Sequence, residues 1–334
     1  MDIVRYYLAI SVIVTHAAAL TGMSLWWPTS SYNAVCGFFA LSGFLVYPSF
    51  LRHKSFWKFL KGRGRRILPS YLFIVIVCAF MLAPLSTLPA ADYFTSREWW
   101  AYIGANLTFL NFLQPSLPGV FDSPEFYNNA VNGSLWTMKV EWALYLSVPL
   151  VAYVTSKLKP RYLLPAFWTI LATSILWRMA FTYLYESTGK EIYNILGRQF
   201  FGQLSYFYAG VILYYKRGWL LEHKIVSLAL ITAAILVTDI IPFGYIIISP
   251  LAVSAAVIYV SIVGDWGKRL SRHDNISYDM YLFHYPIIQV AVYFGMGRLP
   301  EIVLLAVIIA ATVVLAYLER RFVRWLFYRQ SNNT

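Results

Sequence analysis

Charge is what this sequence has least of. Only 13% of its 334 residues are Asp, Glu, Lys or Arg, against about 25% in a soluble domain, so the chain lacks the polar surface to face water all round. Cysteine is nearly absent. Cys36 and Cys78 both fall in apolar runs, which excludes a disulfide framework and any metal-ligand spacing, and no metal site is expected. No internal repeat or low-complexity tract is evident, and no appended soluble domain is expected. What fills the chain is apolar: 59% of residues are hydrophobic and 18% aromatic. The bilayer is the solvent that fits.

A helix needs about 20 residues to cross the hydrocarbon core. The apolar runs predict spans near 3–21, 33–51, 67–88, 139–156, 162–184, 198–215, 224–241, 243–264, 275–296 and 301–318. The expected fold is all-α: about ten transmembrane helices in one bundle, forming a single domain over 1–334. The first helix is read as retained, because Asp2 precedes the run and His16 lies within its far end, against a cleaved signal sequence. Residues 89–138 hold Asp92, Glu98, Asp122, Glu125 and several prolines. They read as an extracytoplasmic loop, with an interfacial helix around Trp99 to Phe112.

Net charge is +12, but the basic residues form short clusters between the spans, and 21 of the 27 Lys and Arg fall on one side of the ten-span arrangement. That is a positive-inside pattern, which puts both termini in the cytoplasm. It is not the extended basic face of a nucleic-acid binder, so the partners expected are membrane lipids and no nucleic acid.

Ionisable groups inside spans are functional candidates, because burying them costs several kcal/mol unless something uses or pairs them. His16, Glu141, Arg178, Asp279 and His284 qualify, with Arg5 at the cytoplasmic mouth. Arg5 and His16 are eleven residues apart, about 1,100° around a helix and about 16 Å along it, so both project from one face. That face offers a cation at the edge and an imidazole deeper in. An anchoring arginine and a histidine bonded to a neighbouring helix would give the same spacing.

Other segments add to the set. Ser42-Gly43 lies midway along the second span, where small residues admit another helix or a thin ligand. The run K-G-R-G-R-R-I-L-P-S-Y closes a cytoplasmic loop, His53 to Arg66. Its arginines serve as topology determinants, yet Arg63 and Arg66, three apart, are also spaced for a phosphate clamp. S-L-W-T-M-K-V-E puts Trp136 and Glu141 at the extracytoplasmic end of the fourth span. N-I-S-Y-D-M-Y-L-F-H-Y-P puts Ser277, Tyr281 and His284 on one face, at spacings of four and three.

Taken together, Arg5-x10-His16, F-F-A-L-S-G-F, Arg63-x2-Arg66-I-L-P, Trp136-x4-Glu141 and Ser277-Tyr278-x2-Tyr281-x2-His284 resemble acyltransferase family three, in the family's order and over almost the whole length. These are polytopic enzymes that acylate extracytoplasmic carbohydrates. In size the chain is similar to stand-alone O-antigen acetyltransferases, including those of serotype-converting phages, and unlike relatives fused to an SGNH-type esterase domain.

The resemblance implies residence in the bacterial inner membrane, with acetyl-CoA as cytoplasmic co-substrate and no permanently bound cofactor. The acceptor it implies is a sugar hydroxyl on lipid-linked glycan or lipopolysaccharide O-antigen. It makes His16 the catalytic histidine, and gives Arg5, Arg63 and Arg66, with Ser42, to the donor. Here the loop reads Arg63-Gly64-Arg65-Arg66, which leaves Arg65 as an alternative partner of Arg66. Trp136, Ser277, Tyr281 and His284 match the pattern without an assigned role.

On this reading His16 acts as general base on the sugar hydroxyl, or as a nucleophile through an acyl-histidine, with Glu141 orienting it and stabilising its charged form. The rival is a transporter or flippase for a lipid-linked sugar, with His16 and Glu141 as a proton relay; the absence of a repeated half speaks against it. For the basic cluster, Arg66→Ala and one of Arg63→Ala or Arg65→Ala are expected to weaken acetyl-CoA binding while leaving topology intact. Unchanged donor affinity in all three variants returns the cluster to a topology signal.

Overall fold

The computed structural model describes residues 1–53, 55–124, 126, 129–264 and 275–328. The cytoplasmic loop expected at 265–274 and the last basic residue, Arg329, lie outside the described residues. Every regular element among the described residues is helical. In order they are α1 Asp2–Thr21, α2 Ser31–His53, α3 Phe56–Met81, α4 Ala90–Thr95, α5 Arg97–Leu107, α6 Trp136–Ser156 and α7 Leu163–Thr188. There follow α8 Glu191–Gly197, α9 Phe200–Glu222, α10 Lys224–Thr238, α11 Gly244–Ile247, α12 Ser249–Val263, α13 Ser277–Tyr293 and α14 Glu301–Tyr328.

Among the described residues five stretches are helices long and apolar enough to cross a membrane: Asp2–Thr21, Ser31–Arg52, Phe56–Met81, Pro160–Thr188 and Glu301–Leu326. Lys224–Thr238 and Ser249–Val263 are apolar but shorter. The outward surface matches lipid. Ile225 is 85% exposed and Ile302 76%, while Gln203, Asp279 and His284 are wholly buried.

Two helices run further than hydropathy alone suggests. Residues 53–66 read as a loop, yet α3 begins at Phe56, so Arg63, Arg65 and Arg66 are helical. Lys, Arg, Leu and Phe are adequate helix formers, and no Pro stops the run before Pro69. Arg63 and Arg66 stay near one another on one face, while Arg65 points elsewhere. Likewise α14 continues through the basic tail to Tyr328.

The described residues group into two compact units, drawn alternately from the chain. One comprises Met1–Leu8, Tyr32–Lys61 and Val140–Arg272; the other comprises Ala9–Ser31, Gly62–Lys139 and His273–Thr334. In the first unit α7, α10 and α12 pack with α9. There α2 and α9 touch backbone to backbone through two glycines. A Cβ on Gly43 would stand 1.9 Å from the Phe207 carbonyl oxygen, and one on Gly210 would stand 2.1 Å from that of Ala40. The small-residue site at Ser42-Gly43 thus admits a helix at Gly43.

In the second unit the segment between α3 and α6 is folded. Ser96 caps α5 by accepting from the Trp99 amide at 3.1 Å, so the expected interfacial helix starts at Arg97. It stops at Leu107, just before Phe109 takes a positive φ of 61°. The orphan carbonyls at a helix C-terminus need donors. Ala79, near the end of α3, accepts from the Tyr93 hydroxyl at 2.9 Å and from the Trp99 indole at 3.1 Å. Burial pushes the Tyr93 phenol up, which keeps it protonated as a donor.

The crossing at Gly43 generates a test. Gly43→Ala forces two backbones apart and is expected to cost about 1–3 kcal/mol, as overpacking does. Gly62→Ala, in helix α3 with nothing within 4 Å of the added carbon, should be neutral or stabilising by up to about 1 kcal/mol. Thermal unfolding in detergent compares the two, and equal melting temperatures would refute the close crossing.

Candidate active site

Helix α13 carries the centre of the site, and its sequence explains its partners. Pro286 has no N–H, so the Leu282 carbonyl one turn earlier loses its helical donor. The Asn132 amide fills that place, donating to Leu282 at 2.8 Å. Asn132 also accepts from the Ser134 amide at 3.2 Å and from its hydroxyl at 2.6 Å. The Tyr281 phenol donates to the Ser134 carbonyl at 3.1 Å and lies 3.0 Å from the Thr137 hydroxyl. The start of α6 is thereby fixed against α13.

On this frame sits a pair of histidines. His284 Nδ1 lies 2.7 Å from the Tyr281 carbonyl, and His284 Nε2 lies 2.8 Å from His16 Nδ1. A carbonyl only accepts, so Nδ1 of His284 carries a proton. With both rings neutral, His284 Nε2 is then an acceptor and His16 Nδ1 the donor. The order of protons leaves the lone pair on His16 Nε2. His284 is fully buried and His16 half-buried. The two rings lie 16° from coplanar, and Tyr285 meets His16 edge-on with centroids 5.8 Å apart. Chemically this is an oriented base with its lone pair directed away from its support.

Of the residues singled out from the sequence, the structure brings His16, Tyr281 and His284 together. Ser277 opens the same helix, its amide and hydroxyl both donating to Asn275. Trp136 is half-buried at the first position of α6. Arg63 is half-buried on α3, while Arg65 and Arg66 are exposed. The other unit holds the rest. Arg5 lies 3.6 Å from Asp2, Ser42 is half-buried next to Gly43, and Glu141 accepts a short hydrogen bond from Tyr145. The His16 ring is hydrogen-bonded to His284, a partner that the sequence did not assign to it. Among the described residues no group of three metal-ligating side chains occurs.

Sequence reasoning missed Asn132, Gly133 and Tyr285. A Cβ on Gly133 would stand 2.8 Å from the Tyr285 ring, so that glycine makes room for the tyrosine beside His16. The signals were the Asn132-Gly133 pair and the unexplained Pro286 within an apolar run, which calls for a donor from elsewhere.

Comparisons with known proteins bear on the family of the chain. An O-acetyl transferase of Shigella phage Sf6 is 28% identical over 149 residues, 43% of each chain. Nodulation protein 10 of Rhizobium leguminosarum bv. viciae is 27% identical over 177 residues, 47% of this chain and 45% of its own. The O-acetyltransferase OatA of Staphylococcus aureus is 23% identical over 360 aligned positions, covering 97% of this chain and 56% of OatA. The chain spans about half the length of the curated relatives it matches. No solved structure matches it. The Acyltransferase domain family matches residues 1–319, a stretch that holds the histidine pair and every helix from α1 to α13, and the chain belongs to that family.

Proposed function

We propose that this chain is a multi-pass O-acetyltransferase of the bacterial inner membrane, moving an acetyl group from cytoplasmic acetyl-CoA to a hydroxyl of an extracytoplasmic glycan such as O-antigen. Ten spans with both termini cytoplasmic are part of this reading, and so is a single catalytic domain. Family membership and relatives named O-acetyl transferase support the chemistry. The observation that carries it is the proton order of the histidine pair, which presents an unprotonated Nε2 on His16.

His16 Nε2 takes the proton of the acceptor hydroxyl as its oxygen attacks the thioester carbonyl. The resulting imidazolium keeps its Nδ1–H on His284, whose own Nδ1–H rests on Tyr281, so the charge forms without a change of ring orientation. The C–S bond then breaks, and the proton on His16 leaves with the thiolate. His284 thus has the positioning role that a carboxylate has in hydrolytic triads. The guanidinium groups of Arg63 and Arg66, with Arg65 as the alternative to Arg63, hold phosphates of the donor; Arg5 and Ser42, in the other unit, are donor residues by the family resemblance alone. Glu141 stabilises charge that develops in the transition state.

Transfer of radiolabelled acetyl groups from acetyl-CoA to glycan in membrane vesicles tests the proposal. His16→Ala should lose at least about 10²-fold in turnover while remaining inserted; retention of more than a tenth rules it out as the base. His284→Ala should lower kcat by a similar factor with KM for acetyl-CoA near that of the wild type, since positioning acts in the transition state. A change confined to KM would contradict that role. Glu141→Gln is expected to lower kcat with little effect on donor affinity, and wild-type kinetics in both substrates would remove it from the site.

A further inference from the structure

One buried charge is not used by this chemistry. Arg178 on α7 is only 6% exposed, yet no carboxylate among the described residues lies within ion-pair distance of it. Its hydrogen bonds are long, 3.4 Å to the Tyr206 hydroxyl and 3.5 Å to the Tyr245 carbonyl. The faces of Tyr206 and Tyr32 lie 5.4 and 5.8 Å from its carbon, which replaces part of its hydration. A guanidinium has five donors, and these two long bonds engage only its Nη1 and Nη2. A buried cation in this state is costly unless an anion completes it.

The surroundings are built to hold this arrangement. Ser174, one turn before Arg178, donates to the Phe201 and Gly202 carbonyls at 2.6 and 3.1 Å and accepts from the Ser205 amide at 2.8 Å. The Trp177 indole donates to Leu196 at 3.1 Å. A Cβ on Gly202 would stand 1.9 Å from the Gly197 carbonyl oxygen and 3.1 Å from Cγ of Arg178, so this glycine lets α8 and the arginine stem close on α9. Gln203 donates to the Tyr32 hydroxyl at 3.2 Å and to the Arg198 carbonyl at 3.1 Å. Above the half-exposed Tyr32 ring lies a second guanidinium, Arg198, at 5.5 Å. The nearby carboxylate, Glu191, accepts from Tyr185 and Asn194 and forms no ion pair with Arg198.

We infer that Arg178, Arg198 and Tyr32 form a binding site for the oxyanion of an acidic sugar, a carboxylate or a phosphate ester. The guanidinium groups of Arg178 and Arg198, which both face the Tyr32 ring, match a planar or tetrahedral oxyanion, and the part of that half-buried ring open to solvent packs against the sugar. That this sugar belongs to the acceptor rests on the proposed function; the site itself does not.

Thermal unfolding of the purified full-length protein tests the site. At concentrations about ten times their dissociation constants, glucuronate and glucose 1-phosphate should each raise the melting temperature by about 2–4 °C. Glucose, and NaCl at matched ionic strength, should not. Arg178→Met should fold with an equal or higher melting temperature, since an unpaired buried charge is removed, and should lose the response. Arg198→Gln should reduce the response while folding normally. An equal shift in Arg178→Met, or none with either acid in the wild type, overturns the inference. A shift with inorganic phosphate as large as with glucose 1-phosphate overturns its sugar part. Acetyl transfer measured on the same preparation separates the two claims: an intact glucuronate response without transfer removes the proposed function and leaves the site.

Discussion

The hydrogen bond between His16 and His284 is the interaction on which the proposed chemistry depends, and it is ordered because a carbonyl stands at its far end. A histidine pair is ambiguous by itself, since either ring can donate. The Tyr281 carbonyl removes the ambiguity at 2.7 Å, and each proton assignment follows from the one before. That carbonyl is held in place by the tyrosine's own phenol, bonded to Ser134 and Thr137, and by Asn132 on the neighbouring Leu282 carbonyl. Pro286 is the origin of the arrangement: by withholding one N–H it requires a side chain from outside the helix.

Backbone satisfaction governs the rest of the fold in the same way, because lipid supplies no donors. The end of α3 takes its donors from Tyr93 and Trp99, which orders the segment before α6. Where side chains would prevent approach, glycine replaces them. Gly43 and Gly210 bring α2 and α9 to backbone contact, and close packing of this kind is what holds helices together when the solvent is as apolar as they are.

Among the described residues, the buried side chains of Asp, Glu and Arg are few and are grouped. Asp279 and Glu319 are buried with Ser70 and Arg320 as neighbours, in the unit that also holds the histidine pair. Arg178 is buried with Tyr32, Tyr206 and Gln203 in the other. Each group collects in one place the charge that the composition so largely excludes.

The sequence by itself determined that the chain is helical and apolar enough for a membrane, because length and hydropathy of a span are local properties. It also picked out His16 and His284 as ionisable side chains in apolar runs, and Tyr281 by its spacing from His284 on one helix face. Local patterning misjudged where α3 begins, because a basic run looks like a loop to hydropathy while its residues form helix readily. Only the tertiary structure decided that His284, 268 residues further along the chain, meets the His16 ring. It alone revealed that Asn132 serves a proline's orphan carbonyl and that Gly133 makes room for Tyr285. These are contacts between distant segments, set by register and rotamer, and no spacing along the chain encodes them.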